Sequence, residues 1–308
     1  MFDIKNTEVY FNGKFVPFSE ANVSIASSPV LYGLTIYTVF SVNWNKEKQQ
    51  LYAFRLKDHY QRLVNSAKIM DFQPFINNYT YEKFEKTMLE LVRRNKIQED
   101  VLVRAAVYID ELIAGTKIHG LKNNFSAYIY PMGEILSKDG IHCCISSWQR
   151  TADNAQPSRA KINGSYINAS LMKNEAILNG YDEAIALDQH GHVAEGTVAN
   201  LFIVRDGVLI TPDTATDILE GITRNSIIRI AQDLGIKTEQ RAIDRSELYI
   251  ADEIFMCGSS ARVVPILSVD KRLIASGETG VITSRLIKLY DDAQRGSDPH
   301  YQEWLTPV

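Results

Sequence analysis

The sequence is poor in cysteine: of three in 308 residues, Cys143 and Cys144 are adjacent and Cys257 is distant. That pattern supports neither a disulfide framework nor a zinc spacing, so a reducing, cytoplasmic setting is expected. Charge of one sign is also lacking. Lys and Arg total 33 against 37 Asp and Glu, and no basic run occurs, so nucleic acid is not an expected partner. No apolar stretch approaches the roughly 18 uninterrupted residues of a membrane helix. The N-terminal MFDIKNTEVYFNGKF alternates like a strand and has no signal-peptide core. Neither internal repeats nor low-complexity segments are found. The six histidines are scattered, and the closest pair, His190 and His192, flanks Gly191 in the polar turn LDQHGHVAEG. Turn residues are the better reading of that pair, and no metal is expected.

What is present suits a soluble α+β chain of one or two domains. VYFNGKFVPF reads as a hairpin around Asn12-Gly13. FRLKDHYQRLVNSAKIM places Leu56, Tyr60, Leu63, Val64, Ala67 and Ile69 on one helical face, and TYEKFEKTMLELVRRN continues with Phe84, Met88, Leu91 and Val92. VLVRAAVYI and FSAYIYPM read as buried strands. The polar GEILSKDG then resembles an interdomain connection. This gives a small domain over 1–132, a linker over 133–140 and a larger domain over 141–308. In the second domain INASLMKNEAILNG and ITRNSIIRIAQDLG read as helices closing on Gly180 and Gly235. NLFIVRDGVLITP is expected to be a hairpin on Asp206-Gly207, and EIFMCGSS a strand breaking into a small-residue loop.

Three features of the second half could carry chemistry. Lys161 lies five residues before Tyr166 in AKINGSY. Glu195 sits among apolar residues in HVAEGTVANLF. Gly221, Ile222 and Thr223 begin a helix in ILEGITRNSII, where free N–H groups favour an anion. CGSSAR adds a second turn of N–H and hydroxyl donors. Singly each has an ordinary explanation: lysines are usually solvated, and Gly-Ile-Thr is usually only a cap. Together they suit pyridoxal phosphate, which needs a lysine for an imine, an acid for its pyridine nitrogen and donors for its phosphate.

The blocks AKINGSYINASL, EAIALDQHGHVAEGTVANLFIVRDGVLITP, LEGITRNSI and LYIADEIFMCGSSARVVPI resemble, in order, those of fold type IV pyridoxal-phosphate enzymes. The nearest subgroup is the branched-chain aminotransferases, and the likeness runs from YFNGKFVP to VVPILSVD. It implies a two-domain α+β fold with the cofactor in the interdomain cleft, a homodimer, and amino-acid and 2-oxo-acid substrates. It further implies that Lys161 forms the imine and moves the proton between substrate Cα and cofactor C4′. Glu195 would pair with the pyridine nitrogen and Tyr166 with the ring oxygen. Arg55 in AFRLKDHYQRL, together with Gly221, Ile222, Thr223 and Ser259, would hold the phosphate.

On the substrate side the resemblance points to Tyr32, Tyr37 and Val39 in VLYGLTIYTVFSV, Arg104 in VLVRAAV, and Ser260 and Ala261 in CGSSAR. Here the sequence departs from the family pattern. An aromatic followed by Glu-Gly is usual, but Tyr37 is followed by Thr38 and Val39, which is closer to D-amino-acid aminotransferases. Arg104 matches the arginine for a distal carboxylate, yet YPMGEI offers Met132 and Ile135 in place of its aromatic neighbours. Weak binding of 2-oxoglutarate is the consequence expected. DELIAGTKIHG shows no Arg-x-His carboxylate trap, and Arg262 stands where an acid is usual, as a cation near the mouth or a solvated side chain. D-amino-acid or amine transamination and aminodeoxychorismate lyase chemistry are the alternatives on the same fold.

Overall fold

The computed structural model describes residues 3–113, 115–133 and 136–308. The chain folds as two compact units, one of Met1–Gly133, Ala160–Gly164 and Ala293–Val308, the other of Glu134–Arg159 and Ser165–Asp292. The expected unbroken 141–308 domain is thereby corrected, because the piece around Lys161 and the C-terminal residues fold with the first unit. Backbone pairing is the reason: Ile162 bridges Ile36, and the final strand joins the first unit's sheet. Glu134 and Ile135, within the expected linker, lie outside the described residues.

In the first unit β1 (Glu8–Phe11) and β2 (Lys14–Pro17) form the anticipated hairpin, with φ of 50° at Asn12 and 89° at Gly13. Positive φ at both positions is what a type I′ turn demands. There follow α1 (Ser28–Tyr32), β3 (Thr35–Asn45), β4 (Gln50–Phe54), α2 (Leu56–Ile69), α3 (Gln73–Asn78), α4 (Tyr81–Arg94), β5 (Val101–Ile109) and β6 (Asn123–Pro131). A C-terminal strand, Leu305–Pro307, lies on β4, and the sheet order from there is β4, β3, β5, β6, β1, β2, antiparallel throughout.

Strand periodicity decides which residues face the core. Ile36, Phe40 and Val42 of β3, with Val101, Val103, Ala105 and Val107 of β5, join Leu63 and Ala67 of α2 and Phe84, Met88 and Leu91 of α4. The intervening Tyr37, Val39, Arg104 and Ala106 therefore share the opposite face, since successive side chains alternate and paired residues match. The buried face of α4 is the one expected. That of α2 is not: Ile69 is exposed, while His59 and Ser66 are buried beside Leu56, Leu63 and Ala67.

The second unit contains β7 (Ile141–Ile145), α5 (Tyr166–Leu178), β8 (Glu183–Leu187), β9 (Val193–Gly196), β10 (Asn200–Arg205), β11 (Val208–Thr211), α6 (Ile222–Asp233), β12 (Thr238–Gln240), β13 (Glu253–Gly258), β14 (Arg262–Val269), β15 (Arg272–Leu273) and α7 (Val281–Arg295). The sheet runs β12-β11-β10-β13-β14-β7-β8-β9, and β9 pairs back onto β10 through Asn200 and Glu195. Six strands thus close into a ring around a core that includes Leu201, Ile203, Met256 and Val264. α5 and α6 stop as expected, with Gly180 and Gly235 at φ of 76° and 72°.

One glycine governs how the Lys161 segment lies on the first unit. Gly33 closes α1 at φ +67°, and a Cβ there would stand 2.8 Å from Gly164 Cα. Gly164 N also donates to Gly33 O at 3.2 Å, so neither backbone can withdraw without loss. Gly33→Ala combines a left-handed residue with overpacking against main chain and is expected to lower stability by about 2 kcal/mol or more. Urea unfolding of the two proteins checks this, and a change under about 0.5 kcal/mol, the scatter of a neutral surface substitution, would refute the close-contact argument.

Candidate active site

The main chain of Lys161 is held from two sides. Its N–H donates to Ser66 Oγ on α2 at 3.1 Å, and its carbonyl accepts from Tyr37 N on β3 at 3.0 Å. Ser66 in turn donates to Arg62 O, which fixes the hydroxyl. The half-buried side chain carries Nζ to 5.1 Å from the Tyr37 ring centroid. The Arg104 guanidinium lies against the same ring at 3.5 Å and donates to Asn163 Oδ1 at 2.7 Å. Val39, buried, pairs directly with Arg104 across the β3–β5 ladder. The first unit therefore gathers Lys161, Tyr37, Val39 and Arg104 on one face. Tyr32 ends α1, where it is largely exposed and its hydroxyl accepts from Gly115 N.

Arg55 occupies the left-handed region at φ +50° just before α2, and its N–H donates to Trp304 O. Its side chain is mostly buried, with Nε on Asp58 at 2.9 Å and Cζ 5.1 Å from the Trp304 ring. One turn along, His59 is buried, and its pKa is driven well below the ordinary value by burial first, then by Arg62, Arg55 and Lys161. Thr38 Oγ1 accepts from Arg62 Nη2 at 3.2 Å and lies 2.8 Å from His59 Nδ1. The hydroxyl can thus give its own proton to Nδ1, which places the proton of the neutral imidazole on Nε2.

In the second unit Glu195 lies at the seam that closes the strand ring. Its Oε1 meets Arg150 Nη2 at 2.7 Å, and its Oε2 accepts from Asn200 Nδ2 at 3.0 Å and Leu219 N at 3.3 Å. Asn200 also donates to Leu219 O at 2.9 Å, and its amide oxygen fills the space that a Cβ on Gly221 would need. Glu195 and the start of α6 are therefore built on one asparagine. Gly221 is the N-cap of α6 and supplies no side-chain cap to the N–H groups that Ile222 and Thr223 begin. Thr223 Oγ1 lies 3.1 Å from Tyr290 OH. Ser259, Ser260 and Ala261 form the half-buried turn between β13 and β14, and Tyr166 opens α5. Arg262, following that turn, is ion-paired to Asp291 at 2.6 Å and mostly buried, which corrects the solvated reading.

The first unit offers an amine on a fixed backbone, and the second a buried carboxylate facing an arginine and a helix start without a side-chain cap; each is of a type that pyridoxal phosphate needs. The sequence reading assigned no role to Arg150, Asn200, Asn163, Thr38 or His59. His59 alone had a local signal, falling three and four residues from Leu56 and Leu63 on α2. Ile135, one of the noted departures, lies outside the described residues. Among those residues no cluster of His, Cys, Asp or Glu could hold a metal ion, and no helix is long and apolar enough to cross a membrane.

A fold of this kind with these groups is that of an aminotransferase, and the comparisons agree. The chain belongs to the amino-transferase class IV family, whose model matches residues 35–269. It is 41% identical to an Aquifex aeolicus protein named "Probable branched-chain-amino-acid aminotransferase", over 97% of this chain and 96% of that one. The branched-chain-amino-acid aminotransferase of Pseudomonas aeruginosa is 36% identical, with 97% of each chain covered. Among solved structures, the branched-chain aminotransferase of Thermoproteus uzoniensis with norvaline superposes with a TM-score of 0.92 at 38% identity, covering 98% of this chain and 99% of that one. The Thermobaculum terrenum enzyme in its PLP form gives 0.92 at 33% identity, with 99% of each covered. The protein is a pyridoxal 5′-phosphate-dependent aminotransferase.

The neutral His59 has a consequence for acid stability. Its folded pKa lies below the ordinary 6.5, so the unfolded chain takes up a proton first as pH falls. Its contribution is therefore complete above about pH 6.5 and is lost below it, at up to about 1.4 kcal/mol per pH unit. His59→Gln, which does not titrate, should lose less stability than wild type between pH 7 and pH 5. Urea midpoints at the two pH values measure the difference; equal losses would remove His59 from the account.

Proposed function

We propose that this enzyme moves the amino group of a hydrophobic, branched-chain amino acid to a 2-oxo acid such as 2-oxoglutarate. The observation that carries this reading is the grouping of Lys161, Tyr37, Val39 and Arg104 on one face, an amine beside an aromatic, an alkyl and a cationic wall. The names of the similar proteins support the donor class, and one similar branched-chain amino acid aminotransferase structure is a complex with N-(5′-phosphopyridoxyl)-L-glutamate.

When bound, the cofactor supplies the electron sink for the carbanion at substrate Cα. Lys161 is assigned as its covalent partner and as the base that moves the proton from Cα to C4′; the backbone clamp fixes where that amine works. Glu195 is assigned to accept the hydrogen bond of the protonated pyridine nitrogen, with Arg150, Asn200 and Leu219 N holding the carboxylate in place. Tyr166 is assigned to the ring oxygen. Arg55, the α6 start at Gly221, Ile222 and Thr223, and Ser259 are assigned to the phosphate. Tyr32, Tyr37, Val39, Arg104, Ser260 and Ala261 are assigned to substrate. A cytoplasmic homodimer completes the proposal. Three buried free thiols support the reducing compartment, and the exposed Ile25, Val30 and Leu31 offer apolar surface for a second copy.

A panel of amino donors in both enantiomers, with 2-oxoglutarate and pyruvate as acceptors, tests the substrate class; strong turnover of D-amino acids and none of leucine or isoleucine would overturn it. Lys161→Ala should keep the wild-type circular dichroism but lose both turnover and the visible absorbance of lysine-linked cofactor. Activity within tenfold of wild type would sink the assignment. Glu195→Gln should still take up cofactor, but its deprotonation step should slow by about 10²–10³-fold, as for other preorganised electrostatic contacts. An unchanged single-turnover rate would refute the pyridine-nitrogen role.

A further inference from the structure

We propose that Asn163 is a specificity-determining residue, which forms with Arg104 a paired donor set for the distal carboxylate of a dicarboxylic 2-oxo acid. The inference rests on the assignment of Arg104 to substrate and adds a second group to it. Arg104 Nη2 donates to Asn163 Oδ1 at 2.7 Å. A guanidinium has no acceptor, so the amide oxygen must be the atom facing it, and the two amide N–H bonds must point elsewhere. Asn163 is half-buried, and among the described residues those N–H bonds have no protein acceptor.

Arg104 is in a matching condition. The Tyr37 ring lies against the guanidinium at 3.5 Å, and Asn163 occupies one N–H. Among the described residues no carboxylate pairs with it, although the chain holds 37 acids and most of its part-buried arginines are so engaged. The remaining guanidinium N–H groups and the Asn163 amide are thus adjacent donors with no anion among the described residues. A carboxylate has two oxygens and about four acceptor positions, enough to receive from both side chains at once.

The chain fixes this pair relative to the reacting lysine. Asn163 is two residues from Lys161 on the segment clamped by Ser66, Tyr37 and Gly33. Arg104 is held by its strand register opposite Val39 and by the Tyr37 ring that Lys161 also approaches. Distance from the amine to the donor pair is therefore set by the fold. Such a ruler selects an acid carrying a second carboxylate at a defined reach. It also supplies a donor that the sequence reading expected to be missing around Arg104.

The test compares the holoenzyme with Asn163→Ala, Asn163→Asp and Arg104→Met. Asn163→Asp is the informative variant, because it keeps an oxygen for Arg104 and replaces the amide donors by an anion. The readouts are the ratio of KM for 2-oxoglutarate to KM for 4-methyl-2-oxopentanoate, and the Kd of the unreactive diacid glutarate against that of 4-methylpentanoate. Losing one charge-assisted hydrogen bond should raise both ratios tenfold or more in Asn163→Ala, and further in Asn163→Asp. Ratios within twofold of wild type in both Asn163 variants overturn the proposal. If Arg104→Met still raises them, the Arg104 assignment survives alone; if it does not, both fall. A parallel rise for both acceptors in the Asn163 variants, leaving the ratios unchanged, also overturns the proposal, since it marks a residue that merely supports the Lys161 segment.

Discussion

The two hydrogen bonds on the Lys161 main chain fix the segment on which the first unit's candidate site is built. A flexible side chain can do acid–base work at a defined atom only if its Cα is immobile, and here the N–H is tied to α2 and the carbonyl to β3. Because Ile162 bridges Ile36 and enters the core, the segment is also anchored by burial. The close pass of Gly33 and Gly164 accompanies that anchoring, and a side chain on Gly33 would lift the segment away. Alternation along β3 then separates two jobs. Ile36, Phe40 and Val42 hold the sheet to its helices, while Tyr37 and Val39 are left on the other face beside Lys161 and Arg104.

This arrangement concentrates positive charge, and the structure shows how the charge is tolerated. Arg55, Arg62 and Lys161 all act on His59, which stays neutral and so adds no further repulsion. Arg62 donates to Thr38, and Arg55 is offset by Asp58 and the Trp304 ring. An unoffset cluster of this kind would strain the fold. An ion pair, a hydroxyl and a ring thus share the compensation, and the neutral His59 adds no charge of its own. The second unit uses the opposite device. Its Glu195 is surrounded by Arg150, Asn200 and a main-chain N–H, so an acid buried at a strand seam is well solvated by protein.

Local signals in the sequence carried local structure well. Asn12-Gly13 and Asp206-Gly207 made their hairpins, and Gly180 and Gly235 ended their helices, because positive φ is a property of the residue itself. Lys161, Glu195 and the Gly221–Thr223 start stood out singly only as ordinary residues, and acquired their proposed roles from their combination and from the long ordered blocks that hold them. What escaped were features defined by a distant partner. His59 and Ser66 are buried because Thr38 and Lys161 N receive them, and nothing within α2 announces either partner. Ile69, apolar but only two residues beyond Ala67, falls on another side of α2 and is exposed. The return of 160–164 to the first unit and the Asn200–Glu195 seam are pairings between separated segments, invisible to periodicity. Arg150, Asn200 and Asn163 share one property: each meets a side chain of another segment, a contact that exists only in three dimensions.

The proposed reaction places an apolar side chain in one half-reaction and a charged one in the other on the same surface. Under the proposed assignment the Tyr37 face is the wall that does both. When an alkyl side chain is present, Arg104 would be an uncompensated, partly desolvated cation, a condition that costs several kcal/mol without partners. The Tyr37 ring and the Asn163 oxygen provide those partners permanently, and neither carries a charge. An ion pair with an acid of the chain would satisfy Arg104 equally well but would compete with a substrate carboxylate. Val39, opposite on the strand pair, offers alkyl contact and no competing acceptor. On the proposed assignment, neutral compensation would let a single guanidinium remain quiet beside a branched aliphatic chain and still be available to a dicarboxylic acid.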